Sequence, residues 1–427
     1  MKTYICGHRN PDTDSITSAY ALADLRRRTG MENVEPICAG NLTPRAKWIF
    51  NHFNLPPIRT KRDIYLRVEH IMDESVPMID GEMKLEDALK RLLESGESSL
   101  PVKAADGTFL GMLSPAKLLD YFIARGDLSI KTKDANLHHC AQILTDTDRV
   151  HDIKKACLKN SHNHFPVVDK NGKLRGTLLK RAFAEEPPRR IILVDHNEVD
   201  QGIPGLEEIP VVEVVDHHRI AFMPTKDPIR YTADVVGSTC TLVARMYRAA
   251  GERPTKGIAG VLICGIIADT LMFQSPTTTE ADKTMCAWLE KLAGESAADI
   301  WAQLSEIDSP LKTMGVEAAI MSDAKRYHEG GKEFIVAQIE ETHMSFVHKH
   351  AQELQAAVDK VVGAEKLDFM ALMVTDPVRG YSEMFFSGDK AVRHELPYKR
   401  GEWGTLVMPG ILSRKKQLLP EIISAIS

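Results

Sequence analysis

Three short, largely apolar runs each stop at an acid or a histidine, and that pattern narrows the folds open to this chain more than any other feature. Tyr4-Ile5-Cys6 precedes Gly-His-Arg-Asn-Pro-Asp-Thr-Asp-Ser at 7–15, Ile191 to Val194 precedes Asp195-His196-Asn197-Glu198, and Val211 to Val215 precedes Asp216-His217-His218. Runs without a polar alternate face belong to strands buried on both sides, as in parallel sheets covered by helices. In such sheets ligands bind beyond the carboxyl ends of the strands, and strands about 4.8 Å apart let side chains from several ends reach one small volume. The longest uncharged apolar stretch, Gly257 to Ala268, falls short of the ~18 residues of a membrane span and reads as a buried core helix that ends at Asp269.

His8, Asp12, Asp14, Asp195, His217 and Asp269 would converge at those ends. Four carboxylates and two imidazoles repel as bare charges, and burial opposes ionising all of them, so divalent cations resolve the conflict. A carboxylate-rich set with some imidazole suits manganese, magnesium or cobalt, and a shared carboxylate could bridge two ions ~3.5–4 Å apart. Asp195, central in the set, is the natural bridge. Taken singly, the clusters have plainer readings: Asp12 and Asp14 as caps of a helix starting near Ser15, Asp195 and Asp269 as ordinary element ends, His196 as a neighbour of the ligands. Their coincidence at the ends of apolar runs is what points to a metal centre. Far away, Leu412-Ser413-Arg414-Lys415-Lys416-Gln417 gathers three cations in a chain of net charge -5. Arg grips phosphate oxygens as a fork and Lys as a point charge, so the pairing predicts phosphoryl chemistry across an interdomain cleft.

A tandem repeat interrupts this pattern. Pro101-Val102 recurs as Pro166-Val167, Gly107 as Gly172, Gly111 as Gly176, Asp87 as Asp152 and Lys90 as Lys155, all at an offset of 65 residues. Each copy reads as a helix, a short strand (Leu100 to Lys103, Phe165 to Val168), a turn at Asp106-Gly107 or Asn171-Gly172, and a returning strand. Leu85, Ala88, Leu89, Leu92 and Leu93 give the first helix its apolar spacing. Residues 1–65 and 186–305 then form one α/β domain split by the insert 66–185, itself divided at about 127/128, and 311–427 forms a third unit with strands at Glu333 to Gln338 and Phe369 to Val374. Glu185-Glu186-Pro187-Pro188 and Asp308-Ser309-Pro310 mark the boundaries. Seven cysteines without a C-x-x-C pair and an N-terminus without a secretory apolar run lead to the expectation of a reducing cytoplasm. The charge balance offers no bulk field for a polyanion, so neither nucleic acid nor membrane is expected as a partner.

In this order, the motifs at 7–15, Val194 to Glu198, Asp216-His217-His218, Gly265 to Thr270 with Ser275-Pro276-Thr277, and Ser413 to Gln417 resemble those of the manganese-dependent family II inorganic pyrophosphatases of the DHH phosphoesterase superfamily. The repeat resembles a tandem pair of CBS modules. The resemblance implies an α/β fold: a DHH-type parallel-sheet domain split by the CBS pair, followed by a C-terminal α/β substrate-binding domain. It implies one cation on His8, Asp12 and Asp195 and another on Asp14, Asp195, His217 and Asp269. These would be two Mn2+ per subunit, with Co2+ or Mg2+ as substitutes and a further Mg2+ arriving with substrate. His218, Arg414, Lys415, and Lys325 of Ser322-Asp323-Ala324-Lys325 would contact pyrophosphate, whose hydrolysis to two phosphates would use a hydroxide held between the cations.

The CBS likeness implies regulation by AMP, ADP or ATP, and a homodimer. The usual Gly-x-x-Ser/Thr-x-x-Asp stretch keeps Gly111 and Ser114, the expected nucleotide contact, but has Lys117 at the acid position; the second copy has Leu179 and Ala182 in place of both polar groups. Two rivals remain. A DHH phosphodiesterase for short oligonucleotides or cyclic dinucleotides, or a polyphosphatase, is set against by the missing Gly-Gly-Gly-His signature, since the one Gly-Gly is Gly330-Gly331 before Lys332. A silent adenylate sensor would have lost a metal ligand, whereas all six positions hold ligand types.

Overall fold

The runs that end in acids lie side by side as strands. The computed structural model describes residues 1–125, 127–135, 137, 142–221, 224–305, 307, 310–341, 344–376 and 379–426. Cys140, Asp308 and Ser309, and with them most of the boundary expected at 308–310, lie outside the described residues, as does the side chain of Lys117. Strands β1 (Lys2–Cys6), β2 (Val34–Ala39), β3 (Arg59–Lys61), β4 (Arg189–Val194), β5 (Val211–Asp216) and β6 (Arg230–Ala233) form an all-parallel sheet in the order β6-β5-β4-β1-β2-β3. The chain steps outward from β1 to β3, leaves for the insert, and restarts against β1 with β4 to step the other way. The carboxyl ends of β1 and β4 are therefore a topological switch point, where diverging connections open a crevice.

Both faces of the sheet are covered, as unbroken apolar runs require. Ile5, Ile192 and Val215 pack against helices α1 (Thr13–Arg28), α2 (Thr239–Ala249), α3 (Lys256–Asp269) and α4 (Glu280–Ala293), while Tyr4, Leu193 and Val214 pack on the other side with Ile203 and Leu206. Helix α3 is apolar all round, and Ile258 to Ile267 are buried. It lies close to α1 and α2 because residue 265 is glycine: a Cβ there would come within 2.3 Å of Cys240 Sγ and 2.8 Å of Asp14 Oδ1. One residue breaks the apolar pattern. Glu213, in mid-β5, is only 3% exposed and is bound in two places by Arg26 of α1, through Nε at 3.0 Å to Oε2 and through Nη2 to Oε1. A bidentate partner is what lets a carboxylate sit there.

Between β3 and β4 stand two three-stranded sheets, Ile79–Asp80 with Leu100–Lys103 and Phe109–Leu113, and Leu144–Thr145 with His164–Val168 and Leu174–Leu179. The sequence offset holds throughout. Ile79 pairs with Val102 as Leu144 pairs with Val167, and an irregularity follows Val102 as it follows Val167. The copies meet about the Thr108–Lys173 bridge, where Phe109 N donates to Gly172 O at 3.2 Å and Leu174 N to Gly107 O at 2.9 Å. Gly107 and Gly172 turn the chain there with φ of +89° and +76°, which only glycine adopts freely. Leu85, Ala88 and Leu92 bury the first helix, but Leu93, expected on the same face, is 75% exposed.

The C-terminal unit is a mixed sheet, β7 (Ala324–Glu329), β8 (Lys332–Glu340), β9 (Phe369–Asp376), β10 (Tyr381–Gly388), β11 (Lys399–Arg400) and β12 (Leu406–Pro409), in the order β7-β8-β9-β10-β12-β11. Only β8 and β9 run parallel. The Arg26–Glu213 pair gives a direct test of the catalytic sheet's packing. Arg26→Met or Glu213→Leu alone leaves a buried charge unpaired and should cost about 3–5 kcal/mol, whereas the double substitution should recover most of it. Urea midpoints followed by circular dichroism measure this; a double variant as weak as either single one would contradict the pairing.

Candidate metal centre

The loop after β1 runs directly into α1, and Asp12 is its N-cap: Ser15 N donates to Asp12 Oδ1 at 2.9 Å. The other oxygen faces the crevice, with Oδ2 3.5 Å from His8 Nε2. One carboxylate thus serves both the capping reading and the ligand reading. Asp14, in the first turn, is buried against the N-terminus of α2. Ser238 Oγ donates to it at 2.7 Å, Thr239 N at 2.6 Å and Cys240 N at 3.0 Å, the arrangement by which helix starts hold anions. Gly7 permits the tight approach, since a Cβ there would lie 1.9 Å from Ser15 Oγ.

Asp195 follows β4 with φ of +61°, a conformation Asp tolerates better than most residues, and its N–H donates to Val215 O at 3.0 Å. Its two oxygens face opposite ways. Oδ2 lies 3.5 Å from His8 Nε2, and Oδ1 lies 3.4 Å from His217 Nε2 while accepting from Thr239 Oγ1 at 3.0 Å. His217 is set by Val236, whose carbonyl is 3.0 Å from Nδ1. A carbonyl only accepts, so Nδ1 carries the proton and Nε2 turns toward Asp195 and toward Asp269 Oδ2 at 3.2 Å. Nε2 is buried and off hydrogen-bond geometry to either. A lone pair facing two carboxylates needs a proton or a cation between them.

The charges confirm how strongly these groups are coupled. Burial alone would lower His8 and His217, yet the nearby carboxylates of Asp12 and Asp195 around the first, and of Asp195 and Asp14 around the second, hold each up to about 10. Burial, then the charge of Asp195, lifts Asp269 to about 6 and Asp14 well above the carboxylate range. Burial opposes ionisation of Asp195 too, but His217 and His8 outweigh it and keep it below that range. Three donor groups each fit around one ion: His8, Asp12 and Asp195; Asp14, His217 and Asp269; Asp195, His217 and His218. The structure brings all six expected residues together, and hard oxygens with an orphaned imidazole nitrogen suit divalent cations.

His218 stands at the mouth, 54% exposed, with Nδ1 2.8 Å from Asp216 Oδ1 and 3.8 Å from Asp195 Oδ1; the Asp216 bond raises its pKa. His196 lies outside the three donor groups, buried, with Nδ1 2.9 Å from Val194 O. Sequence reasoning gave Asp216 and Asn197 no role. Asp216 has no exposure and accepts from Asn197 Nδ2 at 2.5 Å, and Asn197 also donates to Arg219 O at 2.9 Å and accepts from Ala221 N at 2.7 Å, tying two loops together. Their adjacency to Asp195 and His217 was the available signal. The 236–241 segment carried none, because it contributes neutral groups.

In the C-terminal unit, Arg414 opens a π-helical turn, Arg414–Leu418, and its backbone N donates to Gln338 Oε1 at 3.2 Å. Its buried guanidinium bonds through Nη1 to the Asp323 carbonyl and lies 2.9 Å from the Asp323 carboxylate, which joins this motif to the Ser322-Asp323-Ala324-Lys325 motif. Lys325 and Lys415 are exposed. Among the described residues, no hydrogen bond or ion pair links Arg414, Lys415 or Lys325 to the six acids and histidines. Ser114 is half-buried just ahead of the helix Pro115–Arg125.

Comparison with known proteins finds the DHH family, N-terminal domain, over residues 2–266 and the DHHA2 domain over residues 302–425. A manganese-dependent inorganic pyrophosphatase of Bacillus subtilis is 35% identical over 256 residues, covering 57% of this chain and 83% of that protein. A cobalt-dependent inorganic pyrophosphatase of Clostridium perfringens is 24% identical over 540 residues, covering 99% of this chain and 98% of that protein. Among solved structures, that of CBSX2 in complex with AMP covers 28% of this chain and 93% of its own, at 23% identity and a TM-score of 0.25. With acids and histidines at the switch point, a family match spanning residues 2–266 and a relative 35% identical over 83% of its length, the chain belongs to the DHH family and, within it, to the manganese-dependent inorganic pyrophosphatases.

Proposed function

We propose that this chain hydrolyses inorganic pyrophosphate to two phosphates at a pair of divalent cations, manganese or cobalt as in its relatives, with a magnesium ion accompanying substrate. The observation that carries this reading is Asp195, which turns one oxygen toward each donor group. His8, Asp12 and Asp195 would hold one cation, and Asp14, Asp195, His217 and Asp269 the other. Two such cations, when bound, act as Lewis acids on phosphoryl oxygens and lower the pKa of the attacking water. The protein's own groups do the rest. The Val236 carbonyl keeps His217 in the tautomer that offers Nε2, and the donors at the α2 N-terminus fix the Asp14 carboxyl group in place. His218, Lys325, Arg414 and Lys415 bind the phosphates and offset charge on the leaving group. Arg414 Nε, buried and without a partner among the described residues, is a donor open to a phosphate oxygen while Nη1 stays on Asp323.

Residues 1–65 with 186–305 would be the catalytic domain, 311–427 the substrate-binding domain that closes the cleft, and 66–185 a regulatory insert binding AMP, ADP or ATP, with Ser114 as one contact. Supporting a polar ligand, Thr177 Oγ1 and His164 Nδ1 are buried without partners among the described residues, on strands whose alternate residues, Phe165 and Leu178, fill that module's own core. Leu93, Leu119, Phe122 and Ile123 leave the insert helices with an exposed apolar face suited to a second copy in a homodimer. The cytoplasm suits the six described cysteines, all free and buried, and no described helix is long and apolar enough to cross a membrane.

Metal-stripped protein reloaded with Mn2+ should release phosphate from pyrophosphate far faster than from tripolyphosphate, and should leave a dinucleotide intact. Asp195→Asn should lower that rate by more than the ~10–100-fold typical when only a group that orients a ligand is lost. Cleavage of the dinucleotide alone would keep the metal centre and overturn the substrate. Because His8 and His217 hold protons up to about 10 in the metal-free protein, Mn2+ must displace them, so apparent affinity should rise with pH across neutrality. Titration calorimetry at pH 7 in buffers of different ionisation enthalpy should show proton release, and heats independent of buffer would contradict it. AMP added to the loaded enzyme should bind and change the turnover rate; a flat rate with no binding heat would remove the regulatory reading.

A further inference from the structure

Asp282, on α4, has no solvent exposure and lies outside all three donor groups. Part of its bonding is local: Oδ2 accepts from Thr279 N and Thr279 Oγ1, both at 2.7 Å, which closes the N-terminus of α4. The remainder reaches another element. Gly237 N is shared between Oδ1 at 3.0 Å and Oδ2 at 2.9 Å, and Thr241 Oγ1 donates to Oδ1 at 2.6 Å. Asp282 therefore grips both ends of the 237–241 segment.

That segment, with the residue before it, reaches Asp14, Asp195 and His217. Ser238, Thr239 and Cys240 are the three donors to Asp14, and Thr239 Oγ1 is the donor to Asp195. Val236, one residue before the grip, supplies the carbonyl that sets His217. A Cβ at Gly237 would come within 2.6 Å of Thr270 Cγ2, so the segment is also pressed against the residue after Asp269. Among the described residues no hydrogen bond joins His8 or Asp12 to it, and His8 Nε2 lies 3.5 Å from Asp195, which the segment holds.

We infer that Asp282 is a positioning residue of the metal centre: by anchoring 237–241 it orients Asp14, Asp195 and His217 and sets the affinity of the cation held by Asp14, Asp195, His217 and Asp269. This rests on the two-cation reading proposed above. Groups that orient metal ligands typically change affinity ~10–100-fold when lost.

Two substitutions separate this role from helix capping. Thr241→Val removes the bond on the clamp side at nearly constant volume, and Thr279→Val removes one on the cap side. Stripped full-length proteins are titrated with Mn2+ while free ion is counted by electron paramagnetic resonance, and melting temperatures are recorded. The unsubstituted chain should bind two ions. In Thr241→Val one of the two sites should weaken about tenfold or more, with the Mn2+ concentration for half-maximal turnover rising and KM for pyrophosphate unchanged. Thr279→Val should melt lower yet bind both ions as the unsubstituted chain does. Asp282→Asn should behave as Thr241→Val or worse; if it does not fold, the threonine pair decides. Equal weakening of both sites, equal effects of the two threonine substitutions, or no effect of Thr241→Val overturns the inference. An unsubstituted chain that binds no Mn2+ overturns the two-cation reading itself, and the inference with it.

Discussion

Mutual repulsion among Asp14, Asp195 and Asp269, gathered at the carboxyl ends of the parallel sheet, is the constraint around which the N-terminal α/β unit is arranged. Burial and neighbouring charge push Asp14 and Asp269 toward their protonated forms, while the imidazoles of His217 and His8, beside the Thr239 hydroxyl, favour the ionised form of Asp195. Each neighbouring element relieves part of that repulsion. The α2 N-terminus donates to Asp14, the Val236 carbonyl orients His217, and Asp12 divides its oxygens between helix and crevice. Backbone strain gathers at the same place: Asp195 has φ of +61°, and Leu271, Met272 and Phe273, just past Asp269, have φ of +49°, +52° and +66°. Such conformations cost on the order of 1–3 kcal/mol each and persist where the surroundings over-determine them, commonly at functional sites.

The insert enters and leaves without breaking the sheet because it joins an edge strand, β3, to a central one, β4. Its root is tied to the segment that follows Asp195. Ile64 N donates to Pro204 O at 2.9 Å, Leu66 N to Glu208 Oε2 at 2.7 Å, and the Arg149 guanidinium of the second module lies over the Tyr65 ring. The same segment reaches the metal loop, where Arg9 N donates to Gln201 O at 2.7 Å. The insert and the crevice therefore share one stretch of backbone. In the C-terminal unit, Arg414 and Asp323 tie the two cationic motifs together.

Much of the centre was legible in the sequence because charge is conspicuous there. A single acid at the end of an apolar run has an ordinary reading as a cap or element end, but four acids and two histidines gathered at such ends marked the crevice together. The 65-residue offset likewise survives as matched pairing and matched irregularities. Glu213 shows the limit of that reading: a run taken as apolar carries a buried acid, tolerable only because Arg26 arrives from a helix far away in the chain. Leu93 shows another, since helical spacing marks an apolar face without saying what will cover it.

Local composition and spacing thus dictate which groups are charged, which strands are buried, and where the repeat begins. Tertiary packing alone decides that the carboxylate of Asp282 and the neutral groups of Val236 to Thr241 hold the acids in place. The physical reason is that a backbone N–H or C=O looks the same at every position of the chain. Its effect on a carboxylate depends on distance and direction, and those exist only once α2 and α4 have packed against the sheet.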